Sequence, residues 1–103
     1  MLSLNDTRAA ERTMSQKHRR TLDAIFTEPV SSNIHWREIE SLLNSLGARI
    51  QSGHGARFRV ALNGIEGTLH RPHHTGSASK QDVRHLREFL LRSGIIGHPA
   101  NHT

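Results

Sequence analysis

The hydrophobic pattern of this chain changes its period once, at Gly47, and that change limits the folds open to it. Before Gly47, apolar residues recur at helical spacing through residues 36–46. After it, Phe58, Val60 and Leu62 alternate with polar or small residues, as in a strand with one buried face. The sequence therefore predicts an α+β domain rather than a helical bundle or an all-β fold.

A tight hairpin is predicted at Asn63-Gly64, because this pair favours the type I′ turn between antiparallel strands. The turn fixes the register, so that Arg57 is expected to lie opposite His70. Residues 48–51 also alternate and precede a turn of sequence SGHG. Three antiparallel strands with one apolar face follow from this pattern.

Two helices are predicted before the sheet. The first is short, covers residues 17–26 and stops before Pro29, since the residue preceding a proline avoids helical geometry. The second covers residues 36–46, and the Ser-Ser-Asn at 31–33 supplies candidate N-cap side chains for it. Its Trp36 begins the apolar stripe and is interpreted as a core residue rather than a platform for base stacking.

A final helix is predicted between the capping pair Ser79 and Asp82 and the terminating Gly94. After it, Ile95 and Ile96 are expected to return to the core. The predicted fold class is α+β, with a three-stranded antiparallel sheet and two main helices packed on one face (α-β-β-β-α). A short N-terminal helix precedes this unit, and the other face of the sheet is left open to solvent.

The length of 103 residues allows one domain with one modest core. We expect a flexible lead segment at 1–16, a single domain at 17–96 and a flexible tail at 97–103. Met14 directly precedes the first helical segment and is a candidate start site. The chain has no cysteine, no run of membrane-span length and no apolar signal core, so a cytoplasmic protein is expected.

Arginine dominates the basic residues, with 12 of the 14, and the formal net charge is +5. The planar guanidinium suits phosphate better than the point charge of lysine does. Four arginines and one acid, Glu66, lie between residues 49 and 71. This excess favours a polyanion or an acidic protein as partner, and the alternative is an inert basic surface.

His54 lies between two glycines, Gly53 and Gly55, which allow a phosphate to approach the backbone closely. Histidine serves as a general acid or base because its reference pKa is about 6.5. Arg57 and Arg59 follow and could clamp a scissile phosphate. The alternatives are an exposed loop histidine and a solvated strand face.

His70 is the natural second titrating group, since the predicted register sets it opposite Arg57. The spacing of His70 and His73 also suits two ligands of a zinc or nickel ion. No carboxylate lies nearby in the sequence, so a loop supporting the active face is the favoured interpretation. We expect no metal and no other cofactor.

Four segments together resemble one known family: WREIESLLNSLGARI, SGHGARFRV, GTLHRPH and the closing LLRSGI. They are similar to the HicA-like toxins of type II toxin–antitoxin systems over residues 34–96. The resemblance implies a fold like that of double-stranded RNA-binding domains and an mRNA interferase activity. It also implies a HicB-like antitoxin protein that masks the toxin.

The family signature is Gly-Ser-His at the start of the second strand, with a catalytic histidine. The matching segment here reads Ser52-Gly53-His54-Gly55, so the glycine and serine are exchanged. The proline-histidine element after the third strand resembles Pro72-His73. The resemblance and the residue pattern together give His54 and His70 as catalytic candidates, and the following as RNA-contacting candidates: Arg49, Ser52, Gly53, Gly55, Arg57, Arg59, Arg71 and His73.

The leading hypothesis from sequence is a metal-independent endoribonuclease that cleaves mRNA and is neutralised by a HicB-like antitoxin. One alternative is a non-catalytic RNA-binding module on the same fold, which contacts phosphates and 2′-hydroxyls. Another is a protein-interaction domain whose sheet edge pairs with a partner.

Overall fold

A computed structural model describes residues 14–53, 55–72 and 76–97. Within these ranges the order of elements is α1 (Gln16–Phe26), α2 (Trp36–Ser45), β1 (Arg49–Ser52), β2 (Arg57–Leu62), β3 (Ile65–His70) and α3 (Lys80–Arg92). This is the predicted α+β arrangement, including the short first helix. None of the helices in the described ranges has the length and apolar character needed to cross a lipid bilayer.

The sheet is antiparallel, in the order β1-β2-β3. The register of β2 on β3 is the predicted one, and β1 pairs with β2 so that Gln51 lies opposite Arg59. Asn63 and Gly64 have φ values of 53° and 82°, as a type I′ turn requires. Arg57 consequently lies opposite His70. The side-chain amide of Asn63 also donates to the Ser93 carbonyl at 2.8 Å, which attaches the hairpin to the end of α3.

The core lies between the sheet and the helices. Helix α2 packs on β1, α3 packs on β3, and α1 contacts both other helices. Gly67 lies opposite Val60 on the covered face of the sheet, and the Phe89 ring occupies the space where a side chain at position 67 would be. The largest fully buried side chains are Phe58, Leu22, Ile25, Ile39, Leu42, Leu43, Leu86, Leu90, Val60 and Val83.

The N-cap of α2 differs from the prediction. The cap is His35, not Ser31, Ser32 or Asn33: its ring Nδ1 accepts from the Arg37 amide at 3.2 Å. An unprotonated imidazole nitrogen accepts a hydrogen bond as a serine or aspartate oxygen does. For α3 the predicted capping pair of Ser79 and Asp82 is present.

The C-terminal boundary also differs from the prediction by a residue. Ile95 returns to the core, whereas Ile96 is exposed. Gly97, a residue of the predicted flexible tail, is buried, and a Cβ on it would lie 2.7 Å from the Phe26 ring. The packed part of the chain therefore extends to Gly97, and the remainder of the predicted tail lies outside the described residues.

Candidate nucleic-acid interface

One face of the sheet is turned away from the helices, and we call it the open face. Alternation along each strand and the observed register together determine its members. All of them are exposed except Ala61, which is half-buried. The open face consists of Arg49, Gln51, Arg57, Arg59, Ala61, Glu66, Thr68 and His70.

The open face carries an excess of positive charge that the described part of the chain does not neutralise. Arg49, Arg57 and Arg59 form no ion pair with any residue in the described ranges. Glu66 supplies the one carboxylate of this face, and its side chain likewise forms no ion pair there. Three guanidinium groups are thus available to an anionic partner.

At one end of the open face, three backbone positions form a row across the sheet. The Gly53 amide donates to the Arg57 carbonyl at 3.0 Å, and Arg57 lies opposite His70. Gly55 has a φ of 61°, the left-handed region that glycine adopts without strain. His54 lies between these two glycines in the chain and falls outside the described residues.

A small cavity of about 110 Å³ lies further along the same face. Its polar lining comes from Arg49 and Gln51 on β1, Arg59 on β2 and Glu66 on β3. Two guanidinium groups and one amide therefore border one concave site. Gln51 was not among the residues selected from the sequence, although the predicted alternation already set it on the same face as Arg49.

Three other sequence candidates lie away from this cluster or cannot be located. The Arg71 guanidinium lies 5.9 Å from the centroid of the Trp36 ring, toward the helices, in a cation–π contact. Ser52 lies opposite Phe58, whose side chain is on the covered face. His73 falls outside the described residues.

Trp36 is a core residue, as its place in the apolar stripe predicts. It is 7% exposed and packs edge-on against Phe58, with 4.7 Å between the ring centroids. Its indole Nε1 is buried and has no hydrogen-bond partner among the residues that the structure describes. Trp36 is therefore not available as a platform for base stacking.

The described residues contain no group of three or more His, Asp or Glu side chains that could hold a metal ion. His70 does border a narrow crevice that is also lined by Asp82 and His85. These three side chains do not converge as ligands. The other pair of metal ligands considered from the sequence is His70 and His73, and His73 lies outside the described part of the chain.

Comparison with known proteins gives no relative: no protein-family model, no curated protein and no solved structure matches this chain. The geometry and charge of the open face are therefore the features from which a function can be inferred.

Proposed function

We propose that this chain is a HicA-like toxin, a metal-independent endoribonuclease that cleaves mRNA and is neutralised by a HicB-like antitoxin. RNA binds along the open face of the sheet, and the reaction takes place at the end where the Gly53–Arg57 turn meets β3. The antitoxin covers the same face with acidic or apolar groups and so competes there with the anionic substrate.

The observation that carries the proposal is the row formed by Gly53, Arg57 and His70. Strands in a sheet are about 4.8 Å apart, so the row spans about 10 Å. Gly53, the residue before His54 in the chain, lies at one end of this row, and His70 lies at the other end. An exposed guanidinium between two histidine-bearing segments is an arrangement suited to a phosphodiester.

The proposed reaction is an internal transesterification. A base takes the proton of the 2′-hydroxyl, whose oxygen attacks the adjacent phosphorus as the bond from phosphorus to the 5′-oxygen breaks. An acid then protonates the departing 5′-oxygen, which leaves a 2′,3′-cyclic phosphate and a 5′-hydroxyl. His54 and His70 take the two proton-transfer roles, and Arg57 stabilises the negative charge that accumulates on the phosphorane.

The test compares wild-type protein with His54→Ala on end-labelled RNA in the presence of EDTA. Arg84→Ala is the control, since Arg84 is exposed on α3 and lines neither the crevice beside His70 nor the cavity of the open face. We expect wild type and the control to give fragments with cyclic phosphate ends, and His54→Ala to give none while its fold is retained. Growth and total mRNA after induced expression provide the cellular readout. Cleavage by His54→Ala at the wild-type rate would show that His54 is not catalytic.

A non-catalytic RNA-binding module is the second candidate, and one observation favours it independently. The exposed arginines Arg49 and Arg59 belong to the open face whether or not His54 is reactive. In this case wild-type protein binds RNA with an affinity that falls steeply with salt, yet produces no fragments. The EDTA assay, run together with a binding measurement, distinguishes the two functions.

A further inference from the structure

The polar groups of the open face lie in three rows, at steps of two residues along the strands. Arg57 and His70 form the first row, Gln51 and Arg59 belong to the second, and Arg49 belongs to the third. A strand rises about 3.3 Å per residue, so each row lies about 6.6 Å from the next. This step is close to the distance between neighbouring phosphates of an extended nucleotide chain.

The 110 Å³ cavity lies between the second and third rows, where Arg49, Gln51 and Arg59 line it. Its volume is far above the roughly 10–15 Å³ that a single water needs on the same measure, so a phosphate group can enter it. Guanidinium groups offer paired donors to phosphate oxygens, and the amide of Gln51 adds a neutral donor. Glu66 borders the same cavity but forms no ion pair with either arginine, so the guanidinium donors are not occupied by it.

We infer that this cavity is an anchoring subsite for an RNA phosphate one or two nucleotides away from the scissile phosphate. The inference rests on the proposed function, because it takes the row of Arg57 and His70 as the reaction centre. The subsite holds the RNA chain while the first row performs the chemistry. Short substrates that cannot reach from the first row to the cavity therefore lose binding energy.

The proposed ligand is a phosphate, which every nucleotide carries, so the subsite should not distinguish bases. Stacking on phenyl or indole rings adds no base preference either, because all four Phe and Trp residues of the chain belong to the core or its margin. Trp36, Phe58 and Phe89 are buried, and Phe26 is half-buried against the core. None of these rings lies on the open face, so it offers phosphate donors rather than aromatic planes for stacking.

The experiment measures the affinity of 2′-O-methyl oligonucleotides of two to six residues, which cannot be cleaved, by fluorescence anisotropy. For wild type we expect affinity to rise steeply between two and four nucleotides, with little dependence on sequence. In the double variant Arg49→Ala/Arg59→Ala this rise is lost. The affinity for the longer oligonucleotides falls roughly tenfold for each arginine removed, while the affinity for dinucleotides is unchanged. The salt slope for the longer oligonucleotides falls by about 0.7, which corresponds to the loss of one single-strand phosphate contact.

Arg84→Ala is the matched control, because Arg84 is exposed on α3 and away from the sheet. It should reproduce the wild-type dependence on length. In cleavage assays the double variant raises KM for longer RNA and leaves kcat unchanged, as loss of uniform binding requires. The subsite is overturned if the double variant loses affinity equally for short and long oligonucleotides, or loses none. In either case the proposed function still stands if the wild-type protein cleaves RNA. If wild type neither binds nor cleaves RNA of any length, the proposed function fails and the subsite with it.

Discussion

Arg57 and His70 lie directly opposite each other on neighbouring antiparallel strands, and both residues are exposed on the open face. Directly opposed residues have Cβ atoms about 5 Å apart, so a guanidinium and an imidazole in these positions can reach the same phosphate. The pair is set by the hairpin turn at Asn63-Gly64, far from the residues themselves. Any change that shifts the strand register would therefore separate the cation from the histidine.

Replacing His70 with alanine should lower cleavage by roughly 100-fold, because a positioned acid or base contributes about that factor or more. RNA affinity should stay within about threefold of wild type, since Arg57 is retained, and the pH–rate profile should lose one limb. Single-turnover cleavage across a pH series measures both effects. An unchanged pH profile in His70→Ala would remove His70 from the mechanism.

The single carboxylate of the open face should oppose RNA binding. Glu66 borders the same cavity as Arg49 and Arg59 and lowers the local positive charge. Glu66→Gln is expected to raise RNA affinity by up to about fivefold, the range that one exposed charge contributes. Glu88→Gln on α3 changes the net charge equally, and Glu88 is exposed but does not line this cavity. Equal gains in the two variants would indicate a general charge effect instead of a local one.

Much of the sheet was predictable because its determinants are local. Asn63-Gly64 fixed the turn, the turn fixed the register, and alternation then assigned Arg57 and Arg59 to one face. The same reasoning could have selected Gln51, which the register sets opposite Arg59. The sequence pattern did not predict contacts in which a side chain of one element packs against a residue far away in the chain.

Arg71 illustrates that limit. It follows the last strand and carries a positive charge, so the sequence pattern grouped it with the strand arginines. Its guanidinium instead lies over Trp36, a residue more than thirty positions earlier in the chain. His35 is a similar case, because serine and asparagine are the usual N-caps and the sequence does not report which ring nitrogen is available.

Substitutions at the two glycines beside His54 should act for different reasons. Gly55 has a backbone conformation that favours glycine, and Gly53 leaves little room for a side chain. Gly55 has a φ of 61° with no neighbouring atom within 4 Å of an added Cβ, so Gly55→Ala costs about 1 kcal/mol through strain alone. Gly55→Asn should be milder, because asparagine tolerates this conformation. A Cβ at Gly53 would lie 3.0 Å from the Arg57 carbonyl oxygen, so Gly53→Ala should displace the first row. Urea denaturation measures the loss of stability, and cleavage rates measure the displacement of the first row. Equal free energies of unfolding for Gly55→Ala and Gly55→Asn would contradict the explanation by backbone strain.

The stability of the domain should depend on Arg87, whose side chain joins α3 to the end of α1 and is 19% exposed. Its Nε donates to the Ile25 carbonyl at 2.9 Å and its Nη2 to the Thr27 carbonyl at 3.1 Å. Nη1 pairs with the carboxylate of Glu28, and the guanidinium lies 6.0 Å from the Phe26 ring centroid.

Arg87→Ala leaves these carbonyls without their donors, so we expect a loss of about 2–3 kcal/mol in the free energy of unfolding. Arg87→Lys should recover only part of it, because an ammonium group cannot reproduce the planar set of donors. Arg84→Ala, at an exposed position on the same helix, should change stability by less than about 0.5 kcal/mol. Urea denaturation measures all three variants. RNA affinity of folded Arg87→Ala should equal that of wild type, since Arg87 contacts α1 and not the open face, and a selective loss of RNA binding would contradict this separation of roles.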